Sequence, residues 1–357
     1  MGRMLVTGGA GFVGSNVAVH LKNKGHEVVV MDNLVRRGSE LNLEIFKTKG
    51  IQFVHGDIRN AEDLNHLSGK FDFIFETAAQ PAACTGYANP VFDITNNYLG
   101  LLNVLEYARN NGSALIFWST NKTYSGEAIN ALPLLEKLTR YVFDMAHSEL
   151  TDWGQVIAAN GIPENFSVDG GDHSIYGLSK ICADLTCQEW AKAFGVKVVI
   201  NRFSCLAGPG QFGKSEQGWV AWFVIAALFN LPLTFYGFKG KQVRDVLFVD
   251  DILNLIDAQM ENIDKIGGEV FNVGGGMKVN TSLIECVNLI EDVTGKRITT
   301  SYDPTQRKAD QCVYISDIRK AKRVLNWEPK IDMTTGIAQI AAWVIANQDS
   351  LKKLYSL

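Results

Sequence analysis

Residues 3–16, RMLVTGGAGFVGSN, carry the reading of the fold. A short apolar run from Met4 to Val6 breaks into Gly8, Gly11 and Gly14 at GxxGxxG spacing, and the amphipathic GSNVAVHLKNKG follows. Glycines let a backbone approach a pyrophosphate, whose charge rests on the unpaired amides of a helix N-terminus. A glycine triplet alone is a weak signal, and its context gives it weight. EVVVMD (27–32), IQFVHGD (51–57), FDFIFETAA (71–79), ALIFWST (114–120) and VKVVINRFSCLAG (196–208) are further apolar runs, separated by helical segments such as NNYLGLLNVLEYARNNG (96–112). Such alternation predicts an α/β fold, a Rossmann-type doubly wound parallel sheet covered on both faces.

Beyond about residue 204 the strands and helices become shorter and mixed, which predicts a smaller mixed α/β C-terminal domain for substrate. The expected boundaries are 1–203, with a returning segment near 244–275, for the dinucleotide domain, and 204–243 with 276–357 for the substrate domain. The most apolar run, WVAWFVIAALFNLPL (219–233), is too short to span a bilayer and reads as a buried or ligand-facing helix. A long mixed insertion, from about Ser125 to Asp172, precedes YGLSK (176–180) and reads as functional for its length.

Lys and Arg total 34 against 38 Asp and Glu, so the net charge of −4 gives no reason to expect nucleic acid. Any anionic ligand must be held by local donors. The six cysteines form no CxxC pair and show no histidine spacing suited to zinc, which fits a reduced cytoplasmic protein without a metal site. No membrane segment or signal-peptide core is expected from the N-terminal residues.

Asp32 ends the second strand, where an acid binds the adenosine ribose and repels a 2′-phosphate, favouring NAD over NADP. Arg36 and Arg37 keep NADP open, with solvated loop charge as the other reading. Asp57 and Ile58 end the third strand beside the expected adenine position, and Ala78 and Ala79 end the fourth, where small residues let the strand tip pass close to a cofactor. Ser119 and Thr120 finish the fifth at the same edge. Tyr176 and Lys180, four apart, share one helix face.

This combination resembles the extended short-chain dehydrogenase/reductase family over essentially the full chain. The resemblance implies Tyr176 as general acid/base, Lys180 as the group that lowers its pKa and holds the nicotinamide ribose, and Thr120 as the group that orients the reacting hydroxyl. It also implies that Phe12, Val13, Asn33, Gln80 and Asn97 join the residues above around NAD. Dehydratases of the family carry Asp-Glu after the catalytic Thr; Asn121 and Lys122 stand here instead, which favours epimerisation.

STNKTY, EQGWVAWF, GKQVRDVLFVDD and ADQCVYISDIRKAK are similar to the CDP-sugar 2-epimerase branch, of the CDP-paratose to CDP-tyvelose type. That likeness implies a nucleotide-sugar substrate touching Thr120, Asn121, Cys205, Gln217, Trp219, Gln242, Arg244, Arg307 and Asp310. Arg244 is the diphosphate candidate, because a guanidinium meets two phosphate oxygens at once. Surface ion pairing is the alternative for Arg244, Arg307 and Asp310, and core packing for Trp219 and Trp222. Two departures from the branch are the insertion and Cys205, where a thiol replaces a better hydrogen-bonding group. A UDP-sugar 4-epimerase, a dehydratase or decarboxylating relative, and a non-catalytic NAD sensor are the rival readings, and a homodimer or homotetramer is the expected assembly.

Overall fold

Leu5 stands in register with Val29 on one side and Ile74 on the other, and Ile74 with Leu115. All four are at most 1% exposed, and so is the neighbouring row Val30, Val6, Phe75 and Ile116 that faces the other way. Both faces of the strands are therefore covered, which explains runs that are apolar throughout and do not alternate. The structure is a computed structural model that describes residues 1–147 and 154–357. Residues 148–153, inside the insertion noted above, lie outside the described residues.

The sheet has seven strands: β1 (Arg3–Thr7), β2 (Glu27–Asp32), β3 (Gln52–His55), β4 (Phe73–Glu76), β5 (Ala114–Thr120), β6 (Val198–Phe203) and β7 (Val270–Val273). Their order is β7-β6-β5-β4-β1-β2-β3, and the pairs β1–β2, β1–β4, β2–β3 and β4–β5 are parallel. The chain runs outward from β1 to β3 and then returns to β4 on the other side of β1. That reversal makes the carboxyl ends of β1 and β4 the switch point where such sheets bind ligands. The expected α/β doubly wound fold is present.

Helix α1 (Phe12–Asn23) follows β1, and α2 (Gly100–Asn111) precedes β5. Helix α2 buries Leu101, Val104, Leu105 and Ala108, a stripe at helical spacing, against Leu5, Val29, Ile74 and Leu115. Helix α3 (Ile175–Phe194) adds Ala183 and Cys187 to the same cluster. Each buried leucine, valine or isoleucine of the cluster contributes about 1.5–3 kcal/mol. A π-helical turn, Thr95–Leu99, leads into α2 and buries Asn96 and Asn97.

The chain divides into two compact units. One is Met1–Thr120, Ile175–Arg202 and Leu253–Phe271; the other is Asn121–Ser174, Phe203–Ile252 and Asn272–Leu357. Residues 121–174, expected with the dinucleotide domain, thus group with the second unit, and the returning segment is 253–271. The reason is packing: Tyr124, Ile129, Leu132, Phe143, Ile157, Ile162 and Phe166 build one core with Val243 and Val313, Tyr314 and Ile315.

A second core in that unit surrounds α4 (Trp219–Phe229), with α5 (Leu283–Thr294) and α6 (Met333–Ala346) against it. Seven of the eleven residues of α4 are buried, which decides its apolar run in favour of a core helix. Among the described residues, no helix is long and apolar enough to cross a membrane.

Candidate active site

Gly8 leaves β1 with φ +62°, and a β-carbon there would lie 2.4 Å from the Ala78 Cα at the tip of β4. At Gly14 it would lie 2.5 Å from both the Gly8 carbonyl oxygen and the Gly9 Cα. The two glycines therefore keep the β1–α1 turn tight against the end of β4. Gly11 caps α1 in an extended conformation with no side chain bonded to the first turn, and no acid stands in that turn. Phe12, Val13 and Gly11 are half-buried there. The amides at this N-terminus suit an anion.

Asp32 ends β2 and accepts the Ala10 amide at 3.0 Å and the Leu34 amide at 2.8 Å. Burial nonetheless pushes its carboxyl above the ordinary value. Asn33 donates to Asp57 at 2.9 Å, and Arg59 forks the same carboxylate, so that Asp57 is lowered to about 2. Ile58 is buried against the face of Gly100. Half-buried Ala78 and Ala79 follow β4, and the amide of Gln80 donates to Asn97 at 2.8 Å. Asn97 donates in turn to the Gln80 carbonyl at 3.1 Å and to Ser179 Oγ at 3.0 Å, tying the β4 loop to α3. The structure thus gathers the residues read from the first four strand ends at one edge of the sheet.

Tyr176, in the first turn of α3, shares a hydrogen bond with the Thr120 hydroxyl at the end of β5. Burial raises its phenol to about 12, with Thr120 acting in the opposite direction. Lys180, one turn on, is 2% exposed. Its ammonium donates to the Trp118 carbonyl at 2.9 Å and lies 4.8 Å from the centre of the Phe117 ring. Burial depresses Lys180, and the charge of Glu76 opposes that. In this arrangement Lys180 answers Glu76, and the groups that act on the Tyr176 proton are Thr120 and Asp93.

Ser119 and Thr120 are equivalent in sequence and part company here. Ser119 donates to Asp184 Oδ2 at 2.6 Å, while Thr120 serves Tyr176. Arg202 on β6 forks Asp184 at 3.0 and 2.9 Å. Asp184 and Arg202 were not found from sequence, although 176, 180 and 184 continue one i, i+4 line that marks the α3 face turned to β5.

In the second unit, Asp310 accepts from Arg244 Nη2 at 2.7 Å and from Lys122 Nζ at 3.4 Å. Burial works to raise the Asp310 carboxyl, but Arg244 and Lys122 outweigh it and leave it lowered. Arg244 is 7% exposed, so its pairing is a buried one and not the surface contact held as the alternative. Asn121 donates to Gln311 Oε1 at 3.3 Å. Trp219 donates to Cys205 Sγ at 3.3 Å and also packs edge-on to Phe223, so it is both a core residue and a polar contact. Trp222 packs against Tyr355.

Gln242 donates to the Tyr236 carbonyl at 3.0 Å, and among the described residues its buried Oε1 has no partner, nor has Gln311 Nε2. Arg307 lies over the Tyr236 ring and donates to the Ser215 carbonyl at 3.0 Å, turned to a different group from Arg244. Gln217 closes a tight backbone turn with Lys214. Apart from Thr120, which stands with Tyr176, the substrate residues read from sequence thus fall into two groups: Asn121, Cys205, Trp219, Arg244 and Asp310 with Lys122, and Gln217, Gln242 and Arg307 around Tyr236 and Ser215.

The model of the NAD dependent epimerase/dehydratase family matches residues 4–148 and 154–274. The chain is 36% identical over 351 residues to the CDP-paratose 2-epimerase of Salmonella typhi, covering 96% of this chain and 98% of that one. Among solved structures it is similar to the UDP-glucose 4-epimerase of Thermotoga maritima with UDP-glucose, at 27% identity and a TM-score of 0.77, covering 97% and 99% of the two chains. The UDP-glucose 4-epimerase of Thermus thermophilus in complex with NAD gives 26% identity and a TM-score of 0.75, with 96% and 98% covered.

Proposed function

The chain belongs to the NAD dependent epimerase/dehydratase family, and from that premise we propose that it inverts carbon 2 of a CDP-hexose, as CDP-paratose 2-epimerase does by name. It is an NAD-dependent nucleotide-sugar epimerase, an isomerase. The observation that supports the assignment best is the Thr120–Tyr176 hydrogen bond beside a buried Lys180, in a chain similar to that enzyme over nearly its whole length. Asn121 and Lys122 occupy the positions after Thr120, and Lys122 is engaged with Asp310, so no acid follows Thr120 to assist loss of water.

The first unit's residues fit the cofactor. The close approaches at Gly8 and Gly14 leave no β-carbon in the turn, the N-terminus of α1 is uncapped, and Asp32 ends the strand where ribose hydroxyls are bound. Bound NAD⁺ supplies the hydride acceptor and a positive charge. Tyr176 takes the proton of the sugar hydroxyl while Thr120 orients that hydroxyl. Once the keto sugar presented its other face, Tyr176 would return the proton to the same oxygen.

Bringing a phenol from about 12 to near neutrality requires ~7 kcal/mol, at about 1.36 kcal/mol per pH unit. One positive charge about 5 Å away provides roughly 3 kcal/mol at an effective dielectric of about 20. One charge at that range is therefore too little, and the proposed chemistry needs two, with Lys180 and the cofactor as the sources. Arg244 is assigned to the diphosphate, with Asn121, Cys205, Gln217, Trp219, Gln242, Arg307 and Asp310 around the nucleotide sugar. The protein is taken to be cytoplasmic and a homodimer or homotetramer, which sedimentation velocity checks.

A second reading, inversion at carbon 4 of a UDP-sugar, is favoured by the likeness to the T. maritima enzyme. Incubation with CDP- and UDP-sugars in heavy water, followed by NMR, distinguishes them by the carbon inverted. Solvent deuterium at that carbon would contradict return of the same hydride.

A further inference from the structure

Glu76 closes β4, is 1% exposed, and takes no part in the chemistry above. Its backbone is fixed on both sides, in register with Thr7 of β1 and Phe117 of β5. Its Oε1 accepts the Ala78 amide at 3.1 Å. Lys180 reaches the same place from α3, over the Phe117 ring and onto the carbonyl of Trp118, the next residue of β5. Two buried groups of opposite charge thus flank one residue, Phe117, Glu76 in register with it and Lys180 over its ring.

The groups that act on Lys180 are Glu76 from β4, and Asp184 and Cys187 from its own helix. Asp184 already has its counter-charge, because Arg202 forks it and Ser119 donates to it. The Cys187 thiol is fully buried and pushed well above its ordinary value, so it is neutral. A buried ammonium is costly without a compensating anion. Among the described residues, Glu76 is the carboxylate left to compensate Lys180.

We propose that Glu76 is a positioning residue whose carboxylate keeps Lys180 charged and seated on the Trp118 carbonyl, and so presets the lysine for its work beside Tyr176. This rests on the role given to Lys180 above. Burial lifts the Glu76 carboxyl to about 7, with Lys180 pulling it back down. Protonation below that range removes the compensating charge, and Lys180 then loses its hold. Activity is expected to fall on the acid side of neutrality for this reason.

Two experiments test the proposal, one of which needs no substrate. In the purified protein labelled with ¹³Cδ-glutamate, the resonance missing from Glu76→Gln reports Glu76. A midpoint near 7 that rises further in Lys180→Met is expected. An ordinary midpoint near 4.5, or one that Lys180→Met leaves in place, overturns the pairing.

In the epimerase assay, Glu76→Gln is expected to lower kcat roughly tenfold or more with KM within about twofold, and to move the acid limb of the pH profile. Glu76→Asp, which keeps the charge, is expected to recover most of kcat. Equal losses in the two variants with an unchanged pH profile would mark a purely structural residue and overturn the proposal. If the wild-type protein turns over neither CDP- nor UDP-sugars while the resonance behaves as expected, the substrate assignment falls and the Glu76–Lys180 pair stands.

Discussion

The buried ionic groups of the two units are built on opposite plans. In the first, Asp184 meets Arg202 one to one, at 1% and 5% side-chain exposure, and Ser119 takes up remaining acceptor capacity. In the second, among the described residues, one carboxylate, Asp310, faces two cations, Arg244 and Lys122, with unpartnered amide atoms of Gln242 and Gln311 in the same unit. A balanced pair holds elements together. A surplus of positive charge with open hydrogen-bonding capacity is suited to a polyanionic ligand. On this view substitutions in the first unit damage chemistry or stability, and those around Asp310 damage substrate affinity.

Tyr176→Phe carries the largest expected effect, a loss of kcat of roughly 10²–10⁴-fold with NAD still bound, read by the NMR assay and by mass of the released cofactor. An active Tyr176→Phe variant would break the contrast at its centre. Asp184→Asn leaves Arg202 buried without its counter-charge and is expected to cost ~3–5 kcal/mol in urea unfolding. Arg244→Gln is expected to raise KM for the nucleotide sugar roughly 10- to 100-fold while kcat and cofactor retention hold. If it reduced stability as much as Asp184→Asn and left KM alone, the second cluster would be structural like the first.

The smallest effect concerns Asp57. Its folded value of about 2 lies below the ordinary 3.8, so the Arg59 pair stabilises above about pH 4, and that contribution is lost as pH falls toward 2. The pair is largely solvent-screened, which limits it to below ~1 kcal/mol; comparing Arg59→Gln with the native chain by urea unfolding at pH 7 and at pH 2 measures it.

Local pattern made the sheet legible. Strands buried on both faces must be apolar at every position, and the β1–α1 turn needs glycine where a β-carbon would strike Ala78 or Gly9. Asp32 was legible from its short spacing to those glycines, and Tyr176 with Lys180 from their own spacing of four on one helix face. Asp184, Arg202 and Glu76 were not, since their meaning depends on neighbours 18 to 104 positions away that only the fold brings together. The unit boundary was missed because Ile129, Phe143 and Ile157 find their partners at 313–315, which no local signal announces. At Cys205 the sequence suggests a polar contact to substrate that is lost or moved; within the chain, the Trp219 indole donates to the sulfur.

The π-helical turn at Thr95–Leu99 has a consequence for insertions and deletions. Each residue added to or removed from a helix rotates everything after it by about 100°. The turn works as a phase corrector: it lets Asn97 face the β4 loop and α3 while Leu101, Val104, Leu105 and Ala108 still meet the sheet. Deleting one residue there would leave either the asparagine or the apolar stripe pointing the wrong way, so this segment should tolerate substitution far better than any change in length.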